Sequence, residues 1–164
     1  EIRLSLVGSE MCIRDRLDLD HFKQYNDRFG HQAGDECLRL VADKIATVIS
    51  RKGDCLGRFG GEEFMAVLPH TPPEGAHAVA LRLQQAMRGL QMPEGAQPAS
   101  GITLSAGVAT LYPDVSRQPF DADSAASCLL QAADQALYRA KSAGRNQIVV
   151  HDALWSQACP VASA

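Results

Sequence analysis

Two adjacent carboxylates follow a glycine pair in the segment RFGGEEFMAVL, residues 58–68. Gly60 and Gly61 allow the positive φ angles of a tight β-hairpin turn, and they leave the backbone bare for close approach by another molecule. Glu62 and Glu63 come directly after the glycines, where two carboxylates can hold a divalent cation. A surface hairpin that merely carries glycines and acids explains this segment equally well, so the rest of the chain must decide between the two interpretations.

Helical and strand patterns alternate along the chain around this hairpin. Apolar residues every three or four positions predict helices, short apolar runs predict strands, and glycines and prolines mark their ends. The first half is predicted to contain a strand ending at residues 17–20, a helix over 21–29 with Asp20 as N-cap and Gly30 as its stop, a polar turn over 31–34 and a helix from near Asp35 to about Ser50. The hairpin strands follow over 55–59 and 64–68, and the next helix begins within 69–75 and runs to about Leu90. The remaining predicted elements are a loop over 92–101, a strand over 102–111, a loop over 112–123, a helix over 124–142 stopped by Gly144, and a strand over 147–150.

This order, β-α-α-β-β-α-β-α-β, predicts an α/β (α+β) fold in which helices cover a mixed central sheet, close to a ferredoxin-like arrangement. Gly107, inside the strand over 102–111, predicts either a bulge or the close approach of another part of the backbone. A chain of 164 residues with 46% hydrophobic and 21% charged residues suits one globular domain.

The net charge and the cysteine content of the chain argue against some classes of function. The net charge of −3 argues against a general nucleic-acid surface, although it allows a local basic pocket for a phosphorylated ligand. The five cysteines have no paired spacing, so we expect reduced thiols and a cytoplasmic location, with neither a zinc site nor a disulfide framework. No apolar run approaches the length of a transmembrane helix, so membrane attachment of a parent protein would need sequence outside this chain.

Residues 1–16 fit badly with the strand that follows them. The run IRDR at residues 13–16 places charge where the predicted fold needs an apolar, buried strand. We interpret residues 1–16 as foreign to the domain, as in a sequencing-adaptor read-through, with a natural disordered linker as the alternative. The domain is then predicted over residues 17–150, with an incomplete first strand, and residues 151–164 are predicted to form a frayed tail.

Three separated blocks together resemble the GGDEF family of diguanylate cyclases. They are LDLDHFKQYNDRFGHQAGD at residues 17–35, RFGGEEF at residues 58–64 and YRAKSAGRN at residues 138–146, and they occur in the order of the family. The resemblance implies a nucleotidyltransferase that couples two GTP molecules into cyclic di-GMP with loss of two pyrophosphates. It also implies Mg²⁺ or Mn²⁺ as cofactor and a homodimer that holds one GTP in each half.

The resemblance assigns the metal and catalytic roles to the first strand and the hairpin. Asp18 and one or both of Glu62 and Glu63 would bind the metal, and the carbonyl of Leu19 would complete its shell. Such a set suits Mg²⁺, which usually takes one or two carboxylates plus substrate oxygens. By the family pattern Glu62 would also help to deprotonate the attacking hydroxyl, but the sequence does not separate the base from the ligand.

The resemblance assigns substrate binding to residues in all three blocks. A carboxylate and an amide can pair with the donors and acceptors of guanine and would leave adenine unmatched. Each assignment has a structural alternative: a polar helix face for Asn26, a helix N-cap for Asp35, a turn residue for His31 and compensation of the helix dipole for Lys141. The implied residues are Asn26 and Asp35 for guanine, Lys141 and Arg145 with Lys23 for phosphates, and His31, Gly60 and Gly61 around the substrate.

A possible regulatory site lies just ahead of the hairpin. Arg51 and Asp54 form an RxxD motif, which in many members of the family binds the product and inhibits the enzyme, and Arg82 is a weaker candidate for a further contact. The motif occurs often by chance, and only its position relative to Gly60 gives it weight. Besides an active, product-inhibited cyclase, the sequence allows a silent domain that binds cyclic di-GMP or GTP and regulates a neighbouring sensory or dimerising domain of a parent protein.

Overall fold

The computed structural model describes residues 12–90, 102–112 and 122–154. The predicted order of helices and strands is confirmed. The predicted loop over 92–101, residues 113–121 of the next loop and residues 155–164 of the predicted tail lie outside the described residues. The elements are β1 (Cys12–Asp20), α1 (Phe22–Phe29), α2 (His31–Val48), β2 (Cys55–Gly60), β3 (Glu63–Pro69), α3 (Pro73–Arg88), β4 (Thr103–Tyr112), α4 (Ala122–Ser142) and β5 (Ile148–Leu154).

β1 is the central strand of a mixed five-stranded sheet with the order β2-β3-β1-β4-β5. It pairs antiparallel with both β3 and β4, and β2 pairs antiparallel with β3. β5 lies parallel to β4, and α4 connects the two. Because β1 and β3 are antiparallel, the C-terminal end of β1 lies beside the start of β3, immediately after the hairpin turn. The predicted mixed sheet is confirmed.

The main hydrophobic core covers one face of this sheet. Leu17 and Leu19 of β1 point into it and are at most 1% exposed. They pack in one cluster with Phe64 of β3 and with apolar side chains of α1, α2 and α3. Since alternate residues of a strand point to opposite faces, Arg16 and Asp18 face the other side of the sheet.

α4 packs on that other face through a stripe of fully buried small residues that includes Ala133 and Ala136. Gly107 of β4 permits the contact, because a Cβ atom there would collide with the backbone of Ala133 and Leu137. Strand pairing continues through Gly107 on both sides. Of the two predictions made for this glycine, close backbone approach is therefore confirmed.

The predicted boundary between the first two helices is wrong. α2 begins at His31, directly after Gly30, which has a φ of 84°, so residues 31–34 are helical rather than a turn. Asp35 consequently lies inside α2 and is not its N-cap. Gly34, which sequence reasoning assigned to the turn, is needed for packing, because a Cβ atom there would collide with the side chain of Asn26 on α1.

The hairpin turn is displaced by one residue from the predicted position. β2 ends at Gly60, β3 begins at Glu63, and Gly61 and Glu62 form the turn. Gly61 has a φ of 53° and so uses the conformational freedom of glycine. The register shifts between Arg58 and Gly60, which marks an irregularity just before the turn.

The first and last strands are longer than predicted. β1 includes residues 12–16, which pair with β3 and β4, so this part of the segment interpreted as foreign is ordered within the sheet. Asp15 and Arg16 are buried there. β5 continues to Leu154, so residues 151–154 of the predicted tail belong to the sheet. Residues 1–11 lie outside the described residues.

The state of the cysteines and the hydropathy of the helices can be compared with the sequence predictions. Cys37 and Cys55 are free thiols, but Cys128 is disulfide-bonded, which departs from the prediction of reduced thiols. Within residues 12–90, 102–112 and 122–154, no helix combines the length and the apolar character that crossing a lipid bilayer requires.

Candidate functional site

The end of β1 and the hairpin bring the predicted metal ligands to one edge of the sheet. Asp18 lies directly opposite Glu63 in the register of β1 and β3. The N–H of Leu19 donates to the carbonyl of Glu62 at 3.3 Å. Because the N–H and C=O of a residue in an antiparallel strand point to the same side, the Leu19 carbonyl also faces the hairpin. Asp18, Leu19 and Glu62 line the same pocket.

Asp20 anchors this edge and does not cap α1 as predicted. His21, with a φ of 63°, occupies the N-cap position, and no side chain caps the helix there. Asp20 is 1% exposed. It accepts hydrogen bonds from the hydroxyl of Thr103 at 2.6 Å, the hydroxyl of Ser105 at 2.7 Å and the N–H of Asn146 at 2.9 Å. The carboxylate thus ties β1 to β4 and to the segment that follows α4.

The C-terminal end of α4 therefore lies beside Asp18. The N–H of Arg145 donates to the carbonyl of Ala140 at 3.0 Å and the N–H of Gly144 donates to that of Lys141 at 3.4 Å, the pattern of a Schellman motif. Gly144, with a φ of 114°, ends the helix as predicted. The Nζ atom of Lys141 lies 2.7 Å from Oδ2 of Asp18.

Asp18 is the electrostatic centre of the site. Its residue is 4% exposed, and burial raises the pKa of its carboxyl above the ordinary value. The hydrogen bond and charge of Lys141 act in the opposite sense, while the negative charges of Glu62 and Glu63 raise the pKa further. A divalent cation would relieve this crowding of negative charge in the same way as Lys141 does.

The donor set fits a divalent cation that also binds substrate oxygens. Among the described residues, no group of three or more histidine, cysteine, aspartate or glutamate side chains converges as a metal cluster. One reason is that Glu63 is turned toward Arg16, whose Nη2 lies 2.8 Å from its Oε2. Mg²⁺ needs only one or two protein carboxylates when phosphates supply further ligands, so Asp18, the Leu19 carbonyl and one hairpin glutamate suffice.

These carboxylates open into a pocket of about 230 Å³ with cationic side chains on its rim. Lys23 and Arg145 are exposed there, and Lys141 is one-third exposed. At Gly60 and Gly61 a Cβ atom would meet no other atom within 4 Å, so the turn backbone is open to approach. The pocket residues are Asp18, Leu19, Asp20, His21, Phe22, Lys23, Gln24, Glu62, Lys141 and Arg145.

The predicted guanine ligands lie on the packed pair of helices α1 and α2. Asn26 packs against Gly34, which directly precedes Asp35. Oδ1 of Asn26 is buried without a hydrogen-bond partner, whereas Asp35 is exposed. This oxygen lies against Gly34, and Asn26 belongs to neither described pocket lining. Asp35 lines a second pocket of about 470 Å³ with Leu38, Arg39, Ala42, Leu56, Gly57, Arg58 and Phe64.

His31 and the RxxD residues stand apart from the two pockets. His31 is exposed on the first turn of α2 and belongs to neither described lining. Arg51 and Asp54 form an ion pair at 2.8 Å, and the same guanidinium donates to Thr71 Oγ1 at 2.8 Å and to the carbonyl of Pro69. Arg82 is exposed on α3, and none of the described contacts joins it to this pair. The RxxD pair therefore has a structural role of its own.

Sequence reasoning missed three residues of this region. Arg16 and its second partner Asp134 were not considered, although Arg16 shares a strand face with Asp18 two residues away. Extending the strand pattern backward by two residues would have found it. Arg58 donates from Nε to the carbonyl of Gly61 at 2.8 Å and so braces the hairpin turn; its place at the start of the RFGG segment was the available signal.

An edge that combines carboxylates with lysine and arginine side chains has the chemistry of a site for phosphate groups and a divalent cation. The chain matches the family model described as "Diguanylate cyclase, GGDEF domain" over residues 16–147. It is 40% identical over 134 residues to the diguanylate cyclase DgcP of Pseudomonas aeruginosa, and the match covers 82% of this chain and 18% of DgcP. It is 37% identical to the probable diguanylate cyclase DgcC of Escherichia coli strain K12, over 82% of this chain and 33% of DgcC.

Solved structures agree with these relatives. The active GGEEF domain of a diguanylate cyclase from Vibrio cholerae matches with a TM-score of 0.73 and 35% identity, over 86% of this chain and 83% of that one. The GGDEF domain of DgcB from Caulobacter crescentus, in complex with c-di-GMP, matches with a TM-score of 0.73 and 30% identity, over 87% of this chain and 79% of that one. The chain belongs to the GGDEF-domain family of diguanylate cyclases, and it spans 18% and 33% of the two curated relatives.

Proposed function

We propose that this domain is a diguanylate cyclase that condenses two GTP molecules into cyclic di-GMP and two pyrophosphates. The observation that carries the proposal is the cross-strand pair of Asp18 and Glu63 at the hairpin, with the ammonium of Lys141 2.7 Å from Asp18 at the edge of an open pocket. Membership of the family and the names of its relatives support the same activity.

Asp18, the Leu19 carbonyl and a hairpin glutamate would hold Mg²⁺ or Mn²⁺. The bound ion would neutralise charge on the phosphates of GTP as the pyrophosphate leaves. The raised pKa of Asp18 supports this role, because a carboxylate crowded by burial and by Glu62 and Glu63 gains most from an added positive charge. Glu62, which lines the pocket, is our candidate to accept the proton of the attacking 3′-hydroxyl, and Glu63 is the alternative.

Lys141, Arg145 and Lys23 would bind the triphosphate. All three line the pocket that contains Asp18 and Glu62. Lys141 donates to Asp18 in the absence of substrate and, being one-third exposed, can turn toward a phosphate when a cation replaces it at the carboxylate. The bare backbone at Gly60 and Gly61 would let the triphosphate lie against the turn without a steric barrier.

Asn26 and Asp35 would select guanine. Asn26 lies beside Asp35 through its contact with Gly34, and its amide would turn away from Gly34 to pair with a base. A carboxylate at Asp35 accepts from two neighbouring donors of guanine that adenine lacks. His31, exposed on the same turn of α2, is a weaker candidate at the rim.

The reaction joins two substrates, so we expect two copies of this domain to face each other as a homodimer during turnover. Arg51 and Asp54, with Arg82 as a weaker third member, are the proposed site for inhibition by cyclic di-GMP. The Arg51 side chain is half exposed, and Asp54, Thr71 and the Pro69 carbonyl hold its Nε and Nη2, so its Nη1 is the group that would donate to a phosphate or to guanine. We place the reaction in the cytoplasm, where GTP is found.

The deciding experiment incubates the protein at high concentration with Mg²⁺ and either GTP or ATP, followed by chromatography of the products. Cyclic di-GMP from GTP alone is the expected result. The variant Asp35→Asn should lose discrimination against ATP, whereas the exposed control Asp27→Asn on α1 should not. A folded, dimeric protein that makes no product would refute the activity, and binding of cyclic di-GMP by that protein would assign a silent regulatory domain instead.

A further inference from the structure

Arg16 is a buried arginine that bridges the hairpin and α4. Its Nη2 lies 2.8 Å from Oε2 of Glu63, and its Nη1 lies 2.9 Å from Oδ1 of Asp134. The guanidinium also stacks over the ring of Phe59, 4.1 Å from the centroid. The side chain is 10% exposed, and its Nε is buried without a partner. These contacts fix a positive charge beside the site.

The position of Arg16 brings it to a residue that the site needs. Arg16 and Asp18 lie on the same face of β1, two residues apart. Glu63 is directly opposite Asp18, and Arg16 is opposite Met65, so Glu63 is the diagonal cross-strand neighbour of Arg16. The Glu63 carboxylate is turned back along the strand toward the guanidinium, away from the hairpin tip.

We propose that Arg16 is an internal competitor for the divalent cation, which keeps Glu63 in an ion pair that the metal must break before Glu63 can bind it. This inference rests on the proposed function, since it concerns the metal site of that reaction. A guanidinium and a divalent cation on one carboxylate repel each other, and the 10% exposure of the Arg16 side chain limits how far water screens that repulsion. The free protein thus holds Glu63 in its pair with buried Arg16, while Asp18 is paired with the partly exposed Lys141.

Asp134 and Phe59 hold Arg16 in place beside Glu63. Asp134 on α4 supplies a second carboxylate, and the Phe59 ring covers one face of the guanidinium, so little freedom is left for Arg16 to leave. Asp134 also stays paired with Arg16 if Glu63 departs. To bind Glu63, the metal must therefore break only the hydrogen-bonded contact between Arg16 and Glu63, while the other contacts of Arg16 remain.

The test measures binding of Mn²⁺ alone, from the loss of the free-ion signal in electron paramagnetic resonance, for four proteins. They are the parent chain, Arg16→Met, Glu63→Gln and the double variant. Arg16→Met should bind Mn²⁺ about tenfold more tightly, the size expected when one partly buried charge-assisted contact is removed. Glu63→Gln should change the parent little, but in the Arg16→Met background it should abolish the gain.

Two further variants guard against misfolding and against a general effect of charge. Arg88→Met removes an exposed positive charge at the end of α3 and should leave Mn²⁺ binding unchanged. Asp134→Asn leaves β1 intact and should not raise the Mn²⁺ affinity, because Arg16 still pairs with Glu63 in that variant; a rise would contradict a competition carried by the contact between Arg16 and Glu63. Circular dichroism establishes that each variant is folded, and Asp134→Asn still tests the idea if Arg16→Met is not.

Three results would overturn the inference. Equal affinities of the parent and Arg16→Met would show that Arg16 does not compete. An equal loss from Glu63→Gln in both backgrounds would show that Glu63 binds metal while paired, so that Arg16 orients it. Absence of Mn²⁺ binding in every variant would remove the competition altogether, and formation of cyclic di-GMP by the same parent sample then decides whether the proposed function falls with it.

Discussion

The buried carboxyl of Asp15 should make the stability of this domain fall as the pH rises. Asp15 is 0% exposed in the middle of β1, with Ala66 and Val108 as its cross-strand neighbours. Both carboxyl oxygens lack a hydrogen-bond partner. Burial therefore raises the pKa of Asp15 from 3.8 to about 8. At neutral pH the folded protein holds a proton on this group that the unfolded chain releases.

The sign and size of this change in the free energy of unfolding follow from the linkage between folding and proton binding. Between the two pKa values of Asp15, the folded state binds more protons than the unfolded state. The contribution of the protonated Asp15 carboxyl to the free energy of unfolding is therefore fully present below about pH 4 and is lost as the pH rises through about 8. One pKa unit corresponds to about 1.4 kcal/mol, so the free energy of unfolding should fall by on the order of 4 kcal/mol between about pH 5 and about pH 8. That is a large part of the total stability of a small domain.

Urea unfolding across this pH range, followed by circular dichroism, measures the effect. Asp15→Asn removes the ionisable group at nearly constant shape and should show a much flatter pH dependence, while Asp15→Val should also be more stable near neutral pH because it leaves no unpaired polar atom. Asp27→Asn, on the exposed side of α1, is the control and should follow the parent. If the parent and Asp15→Asn curves stay parallel, Asp15 does not titrate as a buried group and the reasoning fails.

Three further predictions concern the site and its support. Glu63→Gln should abolish formation of cyclic di-GMP from GTP with little change in circular dichroism, because Glu63 is only partly buried at the sheet edge; unfolding of this variant would mark the pair as structural. Arg51→Ala should raise the concentration of cyclic di-GMP needed for half-inhibition, and an unchanged inhibition curve would remove Arg51 from the product site. Asp20→Ala should lower the free energy of unfolding by about 2–4 kcal/mol, since one buried and two partly buried donors lose their acceptor. It should also raise the KM for GTP, because the end of α4 that carries Lys141 loses its anchor; a KM equal to that of the parent would show that Asp20 does not position Lys141.

The order of elements was predictable because each element has its own periodicity and a glycine or proline at its end. The errors arose where tertiary contacts override a local signal. Gly34 resembles a turn residue, but it is a helical glycine whose missing side chain makes room for Asn26. Asp20 has the composition of an N-cap, but its acceptors are used by Thr103 and Ser105, which are more than 80 residues away in the chain. Local pattern contains no information about such partners.

The residue types of the site were predictable from three short blocks, while their pairing was not. The register that sets Asp18 opposite Glu63 depends on how β1 and β3 align. The ion pair of Arg16 with Glu63 spans 47 residues, and Arg16 lies in the segment that the charge pattern set apart from the domain. Its burial in the sheet follows from the strand continuing back to Cys12, which the charged sequence did not suggest.

On the proposed function, the two internal ion pairs of the site differ in a way that would set the order in which the carboxylates bind the metal. Lys141 on Asp18 and Arg16 on Glu63 each neutralise a carboxylate before a cation is present. Lys141 is one-third exposed at the pocket and gains a phosphate partner when it leaves, so a metal that arrives with GTP replaces it at little cost. Arg16 is one-tenth exposed and has no place in that pocket lining, so nothing offered by the substrate compensates for breaking its contact with Glu63. Metal should therefore bind first at Asp18, and engagement of Glu63 should be the slower and weaker step.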